Sequence, residues 1–479
     1  MVEEKKKKER RQKDLFCFFF FFFFPHFFLI RYIDGKKKVA PNEQLSYLEA
    51  LSASGLRALR VAKETKGLSL IVANDLEASA VAQISRNVGL NGLTENLDVT
   101  VSHADATDLM HRHKAADKRF DIVDIDPYGP PSIFLDGAVQ CTKDGGLLQV
   151  TATDLMNLCG GSPDVCFKKY GAVPLKSRFS HEMAIRIVLA NLALRAQAYG
   201  RFIGPVMSVM IDFYVRVFVK VGTSGAQTQL NATRIGHVWQ CPTCHYFETQ
   251  PMAYKQPTSN KFVVSSGTPV PPNCPFCNSF FKMAGPMWLG PLHQPEVVPD
   301  IVKLVESKGE QFASHKKLLG LLSVVETELN DVPLFYNLSD LCNVLRSTVP
   351  SMPAFRSALV RQGYRLSGFH TEPYAFKSDA PMHVIWDVLK CWKKKSGVGK
   401  QQKETTPAFK LMQVEPKVEA DFTLLEGETT KKRARFIKVE GWGPQKKAVS
   451  GSAAAGVASA EQPAAPKKAK VDDGEEKKE

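Results

Sequence analysis

The chain has 479 residues, which is enough for two or three domains at roughly 100–200 residues per domain. With 44% hydrophobic and 23% charged residues, it is too apolar to be disordered throughout. Its net charge of +14 is concentrated at the ends, because residues 1–38 and 393–479 carry +6 each and the residues between them only +2. A basic chain favours a polyanionic partner. Because the residues between the two ends are nearly neutral, however, the total charge alone does not show that this part of the chain binds nucleic acid.

The N-terminal segment combines a basic stretch with a run of phenylalanines. Lys5–Lys8 precede Phe18–Phe24, an order that signal peptides and membrane anchors share. The apolar stretch 15–30 is interrupted by Pro25 and is shorter than the ~20 residues that a spanning helix needs, so we expect no membrane partner. Residues 1–38 are therefore interpreted as an atypical N-terminus, and a translated intronic pyrimidine tract is one hypothesis for its origin.

Short apolar runs alternate with helical patterns between residues 45 and 221, which predicts an α/β fold with a parallel sheet covered on both faces. The runs Phe202–Met210 and Phe213–Val221 are separated by two residues, too few for a crossover helix, so they predict an antiparallel hairpin at one edge. This architecture resembles that of class I methyltransferases, which are Rossmann-like. The other predicted strands are Ser69–Ala73, Leu97–Val101, Phe120–Ile125 and Leu147–Thr151, and the predicted helices are Leu56–Lys63, Ala78–Val88, Ser132–Cys141 and Ser180–Ala198.

Acidic residues follow the first three predicted strands, where ligands of such sheets bind. Glu49 precedes a turn of small residues with Gly55, at which a ligand can approach the backbone. Asp75 ends the second strand and Asp105 follows the third. Their carboxylates could accept hydrogen bonds from ribose hydroxyls and from an adenine amino group. Asp is also a common helix N-cap, but acids at three successive strand ends favour a nucleoside pocket.

The sequence Asp126-Pro127-Tyr128 stands where the fourth strand ends. An exocyclic amine on a base is a poor nucleophile because its lone pair is delocalised into the ring. The Asp126 carboxylate could accept hydrogen bonds from that amine and take its proton as a methyl group arrives, while Tyr128 could stack on a base drawn out of its helix. A strand ending in an Asx-Pro turn is the structural alternative. The motif alone does not distinguish guanine, adenine or cytosine, in RNA or DNA.

Four of the ten cysteines form two C-x₂-C pairs, Cys241 with Cys244 and Cys274 with Cys277. Four thiolates suit tetrahedral Zn²⁺, and a site closed in this way is structural. Four ordinary reduced thiols are the alternative interpretation. The other six cysteines show no paired spacing, which is typical of a reducing compartment.

Helical patterns at Leu318–Leu329, Leu338–Val349 and Pro353–Gln362 precede a predicted hairpin around residues 364–376. Two helices followed by a hairpin resemble a winged-helix module, which would contact a nucleic-acid backbone. Arginines on helices are commonly only solvated, so a simple surface role is the alternative. The candidate phosphate contacts are Arg346, Arg356, Arg361 and Arg365.

Taken together, these motifs resemble the tRNA guanine-26 N2/N2-dimethyltransferase family over roughly residues 45–425. The resemblance is carried by Leu-Glu-Ala-Leu-Ser-Ala-Ser-Gly-Leu-Arg (48–57), Asn-Asp (74–75), Ala-Asp-Ala (104–106), Asp-Ile-Asp-Pro-Tyr-Gly (124–129), the stretches 169–189 and 212–219, and the paired cysteines.

The resemblance implies S-adenosylmethionine as cofactor, tRNA as partner and substrate, and N2,N2-dimethylguanosine at position 26 as product. It also implies that Arg57, Asp75, Asp105 and Ala106 contact the cofactor, and that Asp126 is the catalytic carboxylate. Family members begin with a Phe-Tyr-Asn-Pro-type element that supplies a further cofactor-contacting arginine, and nothing in residues 1–44 matches it. An amino methyltransferase acting on another base, and a catalytically impaired tRNA-binding protein, are therefore the alternatives.

The tail is rich in Ala, Ser, Gly and Pro, which is typical of disorder. Its basic clusters at 431–435 and 466–471 predict a nuclear protein, with the mitochondrion and cytosol left open. No obligate protein partner is predicted. The expected organisation is an atypical N-terminus (1–38), a methyltransferase domain (39–225), a zinc- and tRNA-binding α+β domain (226–392) and a largely disordered basic tail (393–479).

Overall fold

The computed structural model of the protein describes residues 26–427, apart from 97, 259–260, 309–314, 398–403, 405 and 407–408. The phenylalanine run and both basic clusters of the tail lie outside the described residues, as does Leu97 of a predicted strand. Within the described part of the chain, no helix combines the length and apolar character needed to cross a bilayer.

A seven-stranded sheet forms the centre of the first domain, in the order β3-β2-β1-β4-β5-β7-β6. Strands β1 to β5 are parallel, and β7 lies antiparallel between β5 and β6. The predicted parallel sheet and its edge hairpin are therefore confirmed. The strands are β1 (Leu45–Glu49), β2 (Leu68–Asp75), β3 (Thr100–His103), β4 (Phe120–Ile125), β5 (Thr142–Ala152), β6 (Arg201–Ile211) and β7 (Tyr214–Thr223).

Helices cover both faces of this sheet, as the alternating pattern predicted. One face packs against α4 (Ala106–Arg112), α5 (Leu135–Cys141) and α8 (Ser180–Gln197). The other packs against α2 (Leu56–Glu64) and α3 (Ala78–Leu90). Two short helices, α6 (Leu155–Leu158) and α7 (Pro163–Tyr170), follow β5.

Residues 26–39 form helix α1, which packs on the same face as α2 and α3. Phe27 and Leu29 are almost fully buried, and Phe28 stacks on Phe218 of β7 with 4.0 Å between ring centroids. The packed core thus begins before residue 39, where we expected the first domain to start. Residues 27–30 continue the apolar run that begins at residue 15, so the sequence does not mark the start of this helix.

The second region begins with a small antiparallel sheet, β12-β8-β9, that packs against α8. Arg186 of α8 donates hydrogen bonds to the carbonyls of Trp288 (2.8 Å) and Gly290 (3.0 Å), which joins the two regions through a buried cation. The elements are α9 (Gly225–Gln229), α10 (Asn231–Arg234), β8 (Ile235–Gln240), β9 (Phe247–Pro251), β10 (Ala253–Lys255), β11 (Phe262–Val264) and β12 (Lys282–Trp288).

Helices then dominate, and two of them precede a hairpin in the order that the sequence predicted. Order continues past residue 393, where we expected the tail to begin: Leu411 and Phe422 are buried, and Leu425 N–H donates to Ser357 Oγ at 3.0 Å. The elements are α11 (Val297–Lys308), α12 (His315–Val325), β13 (Tyr336–Asn337), α13 (Leu338–Leu345), α14 (Met352–Arg361), β14 (Leu366–Phe369), β15 (Glu372–Ser378), α15 (Met382–Ser396) and α16 (Phe409–Gln413).

Candidate active site

Glu49 ends β1 and binds the first turn of α2 from inside the fold. Its Oε1 accepts from Arg57 Nε at 3.0 Å and its Oε2 from Ala58 N–H at 3.0 Å. Burial raises the pKa of Glu49 to about 7, although the neighbouring Arg57 guanidinium acts in the opposite direction. Glu49, predicted to face the cofactor, is thus buried with each carboxylate oxygen engaged by α2.

Arg57 is the cation around which three carboxylates gather. Besides Glu49, its guanidinium approaches Asp124 Oδ2 at 3.4 Å and contacts Asp126 Oδ2. Burial alone would lower the pKa of Arg57, but the surrounding acids hold it well above its usual value. The structure therefore places the predicted cofactor contact Arg57 directly against the predicted catalytic carboxylate.

Arg216 on β7 completes this buried network and was not predicted from the sequence. Its Nη2 donates to Asp124 Oδ1 at 2.8 Å and to Gln149 Oε1 at 2.7 Å, and its Nη1 donates to Thr151 Oγ1. Arg216 is 1% exposed. An arginine within a continuously apolar strand was the available signal, since an unpaired charge there would be very costly.

The turn after β1 lies beside the end of β2. Asp75 Oδ2 accepts from Ala53 N–H at 2.8 Å, and its Oδ1 accepts from Glu77 N–H at 3.0 Å. Gly55 has a φ of 74°, and a Cβ there would come within 3.0 Å of Ile84. Glycine therefore fits both the left-handed backbone and the close approach to α3.

Asp105 caps α4, as the structural alternative anticipated. Its Oδ1 accepts from Thr107 N–H at 2.7 Å and from Asp108 N–H at 3.3 Å. Its residue is nevertheless exposed, whereas Ala106 behind it is buried. The cap orients the Asp105 carboxyl group at the same edge of the sheet as Asp75.

These residues fit a cationic nucleoside cofactor. The carboxylates of Glu49, Asp124 and Asp126 outnumber the two guanidinium groups that bind them, and Asp75 and Asp105 add two more acids at neighbouring strand ends. Such a set of carboxylates suits a positive sulfonium, and it can accept hydrogen bonds from the hydroxyl and amino groups of adenosine.

The loop after β4 carries a largely buried carboxylate and, two residues later, an exposed aromatic ring. Asp126 has a side chain only 7% exposed, and Pro127 is buried. Tyr128 is fully exposed. Gly129 N–H donates to Thr153 Oγ1 at 2.7 Å, and Thr153 N–H donates back to the Gly129 carbonyl at 3.2 Å. These reciprocal bonds fix the loop to the end of β5, so the carboxylate and the ring keep a defined separation.

The four predicted metal ligands come together in the second region. Cys241 Sγ lies 3.4 Å from Cys277 Sγ, and Cys244 Sγ lies 3.5 Å from Cys274 Sγ. All four sulfurs lie within 4.8 Å of one another and are buried. A tetrahedron with Zn–S bonds of about 2.3 Å has edges of about 3.8 Å, so the thiols fit Zn²⁺. Because no position is left open, the site is structural.

The predicted phosphate-binding arginines are largely engaged within the protein. Arg361 donates to the carbonyls of Asp421 (3.1 Å) and Thr423 (2.6 Å). Arg365 forms ion pairs with Asp331 and Asp379, both at 2.7 Å. Arg346 ends α13 in the left-handed conformation and Arg356 is partly buried on α14. These arginines are not gathered into an open basic surface.

A second buried group with metal-ligand chemistry, His293 with Glu328 and His370, was not predicted. Both rings accept a backbone N–H of β6, His293 Nδ1 from Ser208 (3.3 Å) and His370 Nε2 from Met210 (3.0 Å). Their other nitrogens lie 3.1 and 2.8 Å from the Glu328 carboxylate. This arrangement satisfies both neutral rings without a metal and joins β6 to the second region.

The sheet order with one antiparallel strand, together with acids at the ends of β1, β2 and β4, defines a class I methyltransferase fold. A family model described as N2,N2-dimethylguanosine tRNA methyltransferase matches residues 5–390. The chain belongs to this family, as the sequence motifs predicted.

Relatives and a solved structure agree with this assignment. The chain is 42% identical over 422 residues to tRNA (guanine(26)-N(2))-dimethyltransferase 2 of Arabidopsis thaliana, covering 86% of this chain and 71% of that protein. It is also 42% identical to the human tRNA (guanine(26)-N(2))-dimethyltransferase, spanning 86% of this chain but 64% of the relative. Trm1 from Pyrococcus horikoshii, solved with S-adenosyl-L-methionine, matches with a TM-score of 0.62 and 32% identity, covering 71% of this chain and 87% of that one.

Proposed function

We propose that this chain transfers two methyl groups from S-adenosylmethionine to the exocyclic N2 of guanine 26 in tRNA. Family membership supports the reaction class, and the buried Arg57–Asp126 contact, two residues before the exposed Tyr128, is the observation that carries the assignment of the site. The relatives from Arabidopsis and human carry this activity in their names.

The cofactor supplies an electrophilic methyl group on its sulfonium. Asp75 would accept hydrogen bonds from the ribose hydroxyls and Asp105 from the adenine amino group, beside the turn at Gly55 and the start of α4 at Ala106. Glu49 holds Arg57 in place through a buried ion pair of 3.0 Å. Arg57 in turn fixes the orientation of the Asp126 carboxylate at the cofactor's edge of the sheet.

Asp126 accepts hydrogen bonds from the guanine amine and then its proton. Arg57 contacts Oδ2 of Asp126, so Oδ1 is the oxygen assigned to the amine. Tyr128 stacks on the base, and Pro127 stiffens the loop between these two side chains. The reciprocal bonds between Gly129 and Thr153 keep the carboxylate and the ring in register. A base must leave its helix to reach this position, which the exposed ring supports.

Zinc has a structural role in this proposal. The four buried thiols of Cys241, Cys244, Cys274 and Cys277 hold the turns that follow β8 and precede β12. When bound, the ion stabilises this fold by cross-linking the two turns.

The basic clusters of the tail support a nuclear location, because short lysine- and arginine-rich segments are recognised as import signals. One relative, from Saccharomyces cerevisiae and 36% identical, carries a mitochondrial designation. Imaging the full chain with and without the substitution of Lys467, Lys468 and Lys470 by alanine tests this. Loss of nuclear signal is expected, and unchanged distribution would contradict the assignment.

Methyl transfer is tested with purified full chain, labelled S-adenosylmethionine and unmodified tRNA, followed by digestion to nucleosides. We expect label in N2-methylguanosine first and N2,N2-dimethylguanosine later. Label in methylated adenosine or cytidine would contradict guanine as the substrate and support methylation of that other base. Binding of tRNA without any label would indicate a protein that has lost its chemistry.

A further inference from the structure

An open groove of about 780 Å³ runs between the first domain and the zinc-binding turns. One wall is the stretch from Gly160 to Arg178, which follows β5, and the other is formed by the first zinc knuckle, the start of β12 and helix α13. None of the site residues predicted from the sequence lines it, although Lys176 and Arg178 lie in the stretch 169–189 that carries the family resemblance. The groove is therefore distinct from the site that contains Asp126.

One chain segment, which follows β5, connects the groove with the candidate active site. Thr153 binds the Asp126 loop through Gly129, and Asp154 beside it accepts from Tyr170 OH at 2.6 Å. Gly160 packs so closely on the stretch 175–176 that a Cβ there would lie 2.6 Å from Lys176 N. The residue that binds the Tyr128 loop and one wall of the groove thus belong to one continuous segment, residues 153–178.

The two walls are joined by backbone pairing. Val173 and Gly285 exchange N–H···O hydrogen bonds of 2.9 Å in both directions, so the first-domain wall forms an isolated antiparallel bridge beside β12. Strand β12, which follows the second cysteine pair, thus supports the first-domain wall of the groove.

The charge of the groove is positive within a nearly neutral body. Lys176 and Lys282 are exposed on opposite walls, and neither forms an ion pair among the described residues. Arg178 pairs with Asp340 across the groove at 2.7 Å, and its side chain is 59% exposed. The Asp340 side chain is only 12% exposed and binds Arg178 at two points, 2.7 and 3.2 Å, so a phosphate has to compete with Asp340 for the guanidinium group.

We propose that this groove binds the phosphate backbone of the RNA that carries the target base, with Lys176 and Lys282 as phosphate contacts and Arg178 recruited from Asp340. The inference rests on the proposed function and adds the surface that holds the substrate. Phosphate contacts position a nucleic acid without reading its sequence. They would hold the tRNA while the base enters the site that contains Asp126.

The test is the double charge reversal K176E/K282E in the full chain, with tRNA affinity measured by fluorescence anisotropy over a series of salt concentrations. Two lost contacts should weaken tRNA binding by roughly 10–100-fold and reduce the slope of log affinity against log salt by about 1.5–2. The KM for tRNA should rise, while kcat at saturating tRNA and the affinity for S-adenosylmethionine stay within about twofold of wild type.

The matched control is K303E/K316E, which makes the same charge change at exposed lysines of α11 and α12. It should leave the salt slope unchanged. D340N tests the recruitment of Arg178, because removing the one acid that lines the groove among the described residues should tighten tRNA binding by a few-fold. Equal behaviour of the groove and control doubles would overturn the proposal.

Wild-type methyl transfer, measured in parallel, separates this inference from the proposed function. If the wild type forms dimethylguanosine and the groove variants behave like the control, only the proposal that the groove binds tRNA is contradicted. If the wild type forms no dimethylguanosine but the groove variants lose tRNA affinity, the proposed reaction is contradicted and the proposal that the groove binds tRNA is retained.

Discussion

The carboxyl edge of the seven-stranded sheet and the zinc lobe both bury polar groups, but they satisfy them differently. At the sheet edge, Arg57 and Arg216 are shared among three carboxylates, and Asp126 is followed two residues later by the exposed Tyr128. In the zinc lobe, four thiols face only one another. A shared network can change partners during a reaction, whereas a closed set of ligands can only hold or release its ion. Loss of a group should therefore impair chemistry in the first region and folding in the second.

The largest expected effect follows from removing the metal. C274S, or exhaustive chelation, should unfold the zinc lobe, since the binding free energy of structural zinc, on the order of 10 kcal/mol, is coupled to folding. Metal content and thermal unfolding of the full chain check this. C342A is the control, because Cys342 is equally buried but outside the ligand set. If C274S unfolds at the same temperature as the wild type, the proposed structural role of zinc is contradicted.

Loss of the Asp126 carboxylate should impair chemistry and spare the fold. D126N is expected to lower kcat by about 10²–10⁴-fold, the range for a positioned general base. Arg57 retains Glu49 and Asp124 as partners, so the unfolding temperature should change little. Single-turnover methyl transfer measures the effect, with D164N, at an exposed residue of α7, as the control. Full activity of D126N would show that the proton goes elsewhere.

Arg216 and Arg186 provide a comparison of two buried arginines. Replacing either by Met should cost about 3 kcal/mol of stability, because each removes one cation from a buried carboxylate, although Asp124 keeps Arg57 and Glu182 keeps Lys377. The charge-retaining R216K and R186K differ in outcome. R216K should lower kcat at least tenfold, since Asp124 would no longer position Arg57, while R186K should not. Equal kcat values for the two lysine variants would make Arg216 a structural residue only.

Tyr128 should contribute less. Removing a stacking ring costs about 1–3 kcal/mol per base, so Y128A is expected to raise the KM for tRNA by roughly 5–100-fold, whereas Y128F should retain wild-type kinetics. The ring is fully exposed, so neither variant should alter thermal unfolding. Steady-state kinetics with an unmodified tRNA separates the two. Wild-type KM for Y128A would exclude stacking.

A separate expected effect is a pH dependence of stability that arises from Glu49. Its pKa in the folded protein is about 7, above the ordinary 4.5, so the folded state retains a proton that the unfolded chain releases. This stabilising contribution is complete below pH 4.5 and is lost as the pH rises through 7. Urea unfolding between pH 5 and 8 should show a shallower decline for E49Q than for wild type. Parallel curves for the two proteins would assign the decline to other groups.

Much of the fold was predictable because its signals are local. The alternation of apolar runs and helical patterns fixed the parallel sheet, and the two-residue link between β6 and β7 fixed the hairpin. Helix α1 was missed because its first residues continue the phenylalanine run, so residues 1–38 were interpreted as one atypical segment. The packed segment after residue 404 was missed because its few buried residues, such as Leu411 and Phe422, are widely spaced in the sequence.

Candidate site residues were predictable where they form a local sequence motif. They were less predictable where their role depends on contacts between residues that are distant in the sequence. Asp126 and the four cysteines were recognisable from their motifs. The role of Glu49 depends on Arg57 eight residues later and on burial, which the sequence does not reveal. Arg216 and the His293–Glu328–His370 group are brought together only by the fold. The groove requires two walls from distant segments, so no local pattern indicates it.

The most direct test of the account is the position and identity of the methylated base. An unmodified tRNA transcript with guanine at position 26, and its counterpart with adenine there, are incubated with the wild-type chain and S-adenosylmethionine and analysed by mass spectrometry of nuclease fragments. We predict N2,N2-dimethylguanosine at position 26 of the first transcript and no methylation of the second. Methyl groups at another position or on another base, or an unmodified first transcript, would contradict the account.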